Sequence, residues 1–258
     1  MLRTLRLGVW DVPAHELFIG LGVVAAVVVF YIRARERGEL NDRIRWIAVG
    51  ALVTGGLFAH AASIWELALT GNSIVDIWLY GGRSVLGGLA GAYVGVEITK
   101  RLLGHRESTG ELFAPAVALG MAIGRIGCFL TEQVGTLTAL PWGITVSPEV
   151  AASIPNCPQC LTGVPMHPSF LYEILFHAAA FGFLWVTRGR LVAGMSFKLY
   201  LLAYGLFRFL VEFVRGNDEM AMGLSGSQLF LLVTVPLLVL SIGRSGRSTP
   251  WEPLEVAI

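Results

Sequence analysis

The sequence predicts an all-α fold, a polytopic membrane helix bundle of about seven transmembrane helices with a small external loop cap. Three observations carry this. Hydrophobic residues fill 55% of the 258 positions and charged residues only 14%, against about 25% charged in an ordinary soluble domain; the mean hydropathy is +0.68. The apolar residues fall in runs close to the ~20 residues that a helix needs to cross a bilayer. Lys and Arg gather in alternate connections, the asymmetry that fixes orientation in membrane proteins. A net charge of +1 with no basic stripe gives no footprint for nucleic acid. Residues 1–258 read as a single integral membrane domain.

Taken in order, Met1 to His15 holds Arg3, Arg6, Asp11 and Pro13 but no apolar core of a signal peptide. The first run, Glu16–Ile32, is therefore expected to stay in the membrane. Arg33, Arg35, Arg37, Arg43 and Arg45 follow it, and the second run is Trp46–Trp65. The third, Ser84–Thr99, is short and contains Gly87-Gly88-Leu89-Ala90-Gly91, small residues that let helix backbones approach in lipid. Lys100, Arg101 and Arg106 come next, then the fourth run, Leu112–Leu130. The connection 131–168, between helices four and five, has no Lys or Arg and is the only one long enough for a cap. The fifth run, Ser169–Val186, leads to Arg188, Arg190 and Lys198 around the start of the sixth, Met195–Val214. The seventh, Gln228–Ile242, is again short and precedes Arg244 and Arg247. The basic connections should face the cytoplasm, with the N-terminus outside and the C-terminus inside.

In that orientation the intramembrane charges share a depth. Arg125 and Arg208 each lie well along a helix that enters from the cytoplasm, roughly 20 Å in at 1.5 Å per residue, beyond the midplane of a core about 30 Å thick. Helices three and five, descending from outside, bring Arg83, His167, Tyr172 and Glu173 to the same level; His60 and Glu66 on helix two and His15 and Glu16 on helix one lie there too, and Glu97 stands apart. Tyr204, Arg208, Glu212 and Arg215 follow one helical face. An Arg at a helix centre costs about 2.5–3.5 kcal/mol to insert, so a functional site is the first expectation. The bland alternative is a structural Arg208–Glu212 pair, but one glutamate leaves Arg125 unbalanced, and an anion from outside would balance it. Arg presents a planar fork that matches phosphate oxygens two at a time. The phosphate that reaches this depth sideways belongs to a phospholipid.

Several motifs then resemble those of one family. Gly205-Leu206-Phe207-Arg208-Phe209-Leu210-Val211-Glu212-Phe213-Val214-Arg215, with Asp218 after it, resembles the C-terminal signature of prolipoprotein diacylglyceryl transferases. His167-Pro168-Ser169 with Leu171-Tyr172-Glu173 resembles that family's entry into the fifth helix. Gly124-Arg125-Ile126-Gly127-Cys128-Phe129 with Pro141-Trp142-Gly143 resembles its central signature, and the Gly87 to Gly91 stretch its Gly-rich helix. The resemblance implies transfer of diacylglyceryl from phosphatidylglycerol to the lipobox cysteine thiol of a preprolipoprotein, releasing glycerol phosphate. It implies a bacterial plasma (inner) membrane, a periplasmic cap and no cofactor or metal. Arg125, Arg208 and Arg215 would hold the phosphate, with Tyr172, Tyr204, Gly87 and Gly88 also contacting substrate. Arg208, Glu212, His167 and Glu173 would form the catalytic set, Glu212 orienting the arginines.

The chain departs from the family pattern at Leu86, where a His is common, and at Cys128 and Glu132, where the signature continues Asn-Phe-x-Asn-x-Glu. The first helix lacks the usual Tyr-Gly pair. A histidine base would then fall to His167 or His60. A paralogous headgroup enzyme with another acceptor, and a transporter, are the competing functions; the sequence shows no internal repeat of the kind transporters carry. Cys157-Pro158-Gln159-Cys160 reads as a loop-stapling disulfide before a zinc site. His177, four residues after Glu173, reads as its hydrogen-bond partner, and His105 as a solvated loop residue.

Overall fold

Each apolar run forms a helix, and most of these helices extend a turn or so past the run that predicts them. The structure, a computed structural model, describes residues 4–7, 10–68, 84–132, 135–151, 160, 163–217 and 219–245. The helices are α1 (Ala14–Glu36), α2 (Asp42–Ala68), α3 (Val85–Leu102), α4 (Gly110–Thr131), the single turn α5 (Pro148–Ala151), α6 (Ser169–Val186), α7 (Met195–Glu212) and α8 (Gly226–Ser245). α1 runs on through its basic end because Arg33 Nη1 donates to Glu36 Oε2 at 2.5 Å, an i,i+3 pair that closes the last turn. At α2 the Asn41 side chain accepts from Ile44 N at 3.1 Å, and at α3 the Ser84 hydroxyl accepts from Gly87 N at 3.2 Å, both N-caps.

Among the described residues five helices are long and apolar enough to span a membrane: α1, α2 over 42–61, α4, α6 and α8 over 226–243. α3 and α7 fall outside that set on charge, since α3 ends in Glu97, Lys100 and Arg101 and α7 carries Lys198, Arg208 and Glu212. The chain is a multi-pass membrane protein. The seventh run, short by sequence, is a 20-residue helix. Two small hairpins add to the all-α expectation: β1 (Thr4–Leu7) with β2 (Trp10–Pro13), and β3 (Glu219–Ala221) with β4 (Leu224–Ser225).

The chain divides into two units, residues 31–107 and the remainder. In the unit 31–107, α2 packs along α3 through glycines. A Cβ at Gly91 would meet Thr54 O at 2.6 Å, and one at Gly88 would meet Ala59 Cβ at 3.5 Å. Thr54 Oγ1 donates across to Gly91 O at 2.8 Å, the interhelical polar contact that lipid-embedded helices use. In the other unit α4 lies against α6 and α7, and α7 against α8. Ala114, Ala118, Leu184 and Tyr200 form one buried cluster there. Glu111 ties the start of α4 to the start of α7, accepting from Gly194 N at 2.9 Å, Ser196 N at 3.3 Å and the Ser196 hydroxyl.

The segment 131–168 packs on its own small core of Val146, Ala151, Cys160 and Met166. Its two ends are pinned together. Gly135 N donates to His167 O and His167 N to Thr136 O, each at 2.8 Å, and Thr136 N donates to Val214 O at 2.9 Å. α7 stops at Glu212, two residues short of the predicted end. Phe213, Val214 and Arg215 continue as a tighter turn of i to i+3 bonds.

Candidate active site

The charged residues of α4, α6 and α7 turn inward onto one another. Arg125 sits on α4, Glu173 one turn into α6, and Tyr204, Arg208 and Glu212 on successive turns of α7. All five are buried, Glu173 completely. Arg125 Nη2 stands 2.7 Å from Glu173 Oε2, and Arg125 also donates to the Tyr204 hydroxyl at 3.4 Å. Arg215 pairs with the other oxygen of Glu173 and reaches Glu132 at 3.9 Å. Phe170, one turn before Glu173, lies under both guanidiniums, with its ring centre 4.3 Å from Arg215 Cζ and 5.7 Å from Arg125 Cζ.

Arg208 pairs with Glu212. The other oxygen of Glu212 accepts from the Ser225 hydroxyl at 2.6 Å and from Asn217 Nδ2 at 2.7 Å, so that carboxylate is fixed from three directions. Arg208 lies within electrostatic range of Arg125, Arg215 and Glu173. Three guanidiniums from two helices and the turn beyond one of them thus share one poorly hydrated region. The sequence leaves Arg125 needing an anion from outside; the structure revises that, because Glu173 supplies a carboxylate to it. The pairing is incomplete. Arg125 Nε is buried with no hydrogen-bond partner among the described residues, and Glu173 Oε2, though close, makes no well-aligned hydrogen bond.

The remaining expected residues spread out. His167 Nδ1 and the Tyr172 hydroxyl are 3.2 Å apart, and Trp142 Nε1 donates to the same hydroxyl at 2.8 Å. These three form a polar group at the start of α6, next in sequence to Glu173. His177 is buried but bonds to the Tyr200 hydroxyl at 2.9 Å instead of to Glu173; its ring packs 4.6 Å from that of Tyr204. Gly87 and Gly88 belong to the unit 31–107, where Gly87 N serves the Ser84 cap and Gly88 faces α2. His60, in that unit too, lies 3.0 Å from Gly56 O on its own helix. Arg83, Cys157, Asp218 and the Glu66 side chain lie outside the described residues. Cys160 is buried and disulfide-bonded.

Phe170, Asn217 and Ser225 are contacts that sequence reasoning did not single out, and Glu132 was noted there only as a departure from the family signature. Phe170 had a signal, since it lies one helical turn before Glu173; Asn217 and Ser225 act from the turn after α7 and from β4, whose positions no periodicity reveals. Chemically, the arrangement offers several fixed guanidinium donors to a tetrahedral anion in a region that excludes most water, where such donors act strongly.

Comparison with known proteins bears on this arrangement. The pattern of one family, prolipoprotein diacylglyceryl transferase, matches residues 3–243. The phosphatidylglycerol–prolipoprotein diacylglyceryl transferase of Mycobacteroides abscessus is 31% identical over 241 residues, covering 84% of this chain and 70% of that protein. The protein of the same name from Clostridium tetani is 30% identical over 237 residues, with 86% and 88% covered. That from Rhodococcus jostii is 32% identical over 234 residues, with 81% and 65% covered.

Proposed function

The chain belongs to the prolipoprotein diacylglyceryl transferase family, and from that premise we propose that it moves the diacylglyceryl group of phosphatidylglycerol onto the lipobox cysteine thiol of preprolipoproteins. It is a transferase of lipoprotein biosynthesis, held in the bacterial plasma (inner) membrane with its N-terminus outside and its C-terminus cytoplasmic. In the reaction the acceptor sulfur attacks the glyceryl carbon that bears the phosphate. A C–S bond forms, the C–O bond to phosphate breaks, glycerol phosphate leaves, and the thiol proton is released.

The observation that carries the reading is Arg125, buried and paired with Glu173 yet left with an unsatisfied Nε donor. Phosphate oxygens compete for guanidinium edges that a single carboxylate does not saturate. Arg208 and Arg215 complete the clamp, and Glu212, held by Ser225 and Asn217, keeps Arg208 aimed. As the leaving phosphate becomes a monoester it gains negative charge, so preorganised arginines stabilise the transition state more than the bound lipid. Tyr204 orients Arg125 from the opposite helix. His167 and Tyr172 lie where the cap meets α6 and contact the acceptor segment.

Purified protein given labelled phosphatidylglycerol and a lipobox peptide should yield a thioether-linked lipid and free glycerol phosphate. Lipid bound but never transferred would point to a different acceptor, and no phosphate release from any lipid would remove the proposal.

A further inference from the structure

Beside the arginine cluster lies a second group of side chains that holding a phosphate does not require. We propose that His15, Cys128 and Glu132 form a site for one zinc-class divalent cation, whose open position takes a thiol. The identity of that thiol, the acceptor cysteine, rests on the transferase reading; the metal site does not.

The donor set is one imidazole, one thiol and one carboxylate, the mixture that suits zinc and its neighbours. One ligand atom from each residue lies within 4.8 Å of the other two, and His15 Nδ1 is already 3.4 Å from Glu132 Oε1. Around a tetrahedral ion with bonds of about 2.0–2.3 Å, ligand atoms stand roughly 3.3–3.8 Å apart, so closure needs a shift on the order of an ångström.

The fold builds this approach. Cys128 and Glu132 are one turn apart at the end of α4, where Glu132 N donates to Cys128 O at 2.8 Å. His15 comes from the first turn of α1, which crosses α4 at Gly127; a Cβ there would sit 3.0 Å from both His15 O and Phe18 Cβ. Access is graded too. Cys128 is 7% exposed, while the side chains of His15 and Glu132 are 28% and 38% exposed. The sulfur is the floor of the site and the other two its rim.

Charge is the main objection. Arg125 Nη1 lies 3.8 Å from Cys128 Sγ, and Arg215 Nη2 lies 3.9 Å from Glu132 Oε2. Both guanidiniums are also engaged by Glu173, and Glu132 turns its second oxygen toward His15. Thiolate and carboxylate together cancel the charge of a divalent ion, so the loaded triad is neutral. Three protein ligands leave a tetrahedral ion one free position. A thiol bound there would give its proton to water and stay as thiolate, beside the arginines proposed to hold the phosphate ester.

Cobalt(II) titration of the full chain in lipid nanodiscs tests this, because thiolate ligation gives a sulfur-to-cobalt charge-transfer band. The disulfide at Cys160 keeps that sulfur from competing. One equivalent of cobalt should produce the band, Cys128→Ser should abolish it, and His15→Ala or Glu132→Gln should weaken cobalt binding at least ~10-fold with helix content unchanged. A lipobox peptide should then strengthen the band by a second thiolate, and its serine counterpart should not. Absence of the band in the unaltered protein or its survival in Cys128→Ser would overturn the metal site, and indifference to the cysteine peptide would overturn its role in holding the acceptor thiol. These readings need no lipid turnover, so they stand or fall apart from the transfer assay.

Discussion

Glu173 carries more of the cluster than any other single residue. It is wholly buried and divides its two oxygens between Arg125 and Arg215. Removing one partner of a buried ion pair strands the other, at a cost of about 3–5 kcal/mol; here two arginines are stranded at once. Glu173→Gln, close in size but uncharged, is therefore expected to lower thermal stability in detergent markedly. An unchanged melting temperature would mean that the arginines re-pair elsewhere. The arginines themselves act on the reaction. Arg125→Ala or Arg208→Ala is expected to reduce transfer by about 10²–10³-fold, the scale of losing one preorganised donor, with membrane insertion intact. Lysine at either position should not restore it, because a point charge lacks the two-pronged fork. Transfer at the normal rate in Arg208→Lys would remove the bidentate role. The presence of these arginines in the site was legible because a charge at that depth in an apolar helix demands a reason. Their partners were only half legible. Sequence spacing links Arg208 to Glu212, whereas the contacts of Glu173, Glu132, Asn217 and Ser225 depend on how separate helices and loops meet.

At the scale of elements, close backbone approach decides where the site residues stand. α1 crosses α4 at Gly22 and Gly120, where a Cβ on Gly22 would lie 2.6 Å from Gly120 O and one on Gly120 would lie 2.9 Å from Gly22 O. Phe30 and Phe113 close the far end of the same crossing, with ring centres 4.8 Å apart. Gly20, two residues earlier on α1, faces open space. Gly22→Val should accordingly destabilise the protein by about 1–3 kcal/mol, the usual cost of overpacking, and Gly20→Val should not. Comparable melting temperatures for the two variants would contradict the crossing. The helices themselves were readable from apolar runs, and the predicted ends fell within a few residues. The end of α7 was not, because the tighter turn after Glu212 is tied down by Thr136 N donating to Val214 O, a contact some eighty residues away in sequence. The hairpin of β3 and β4 was missed for a similar reason: strands of three and two residues leave no period to detect.

At the scale of the whole chain, a net charge of +1 means that distribution, not excess, carries the topological information. Arg33 to Arg45 separate α1 from α2, Lys100 and Arg101 close α3, and Arg188 and Arg190 lie between α6 and α7, whereas the segment 131–168 has no Lys or Arg. Short loops rich in Lys and Arg stay on the cytoplasmic side. Arg125 lies 15 residues into α4, roughly 22 Å from its start, so the proposed orientation would put the clamp near the outer face, where the thiol of the proposed secreted substrate would arrive. The protein's own thiols leave a low labelling background, since Cys128 is buried and Cys160 is disulfide-bonded. An impermeant maleimide should thus label Leu140→Cys in intact spheroplasts and Arg188→Cys only after lysis. The reverse pattern would place the arginines at the inner leaflet, out of reach of a translocated lipobox, and the proposed acceptor would have to be abandoned even if the lipid clamp survived.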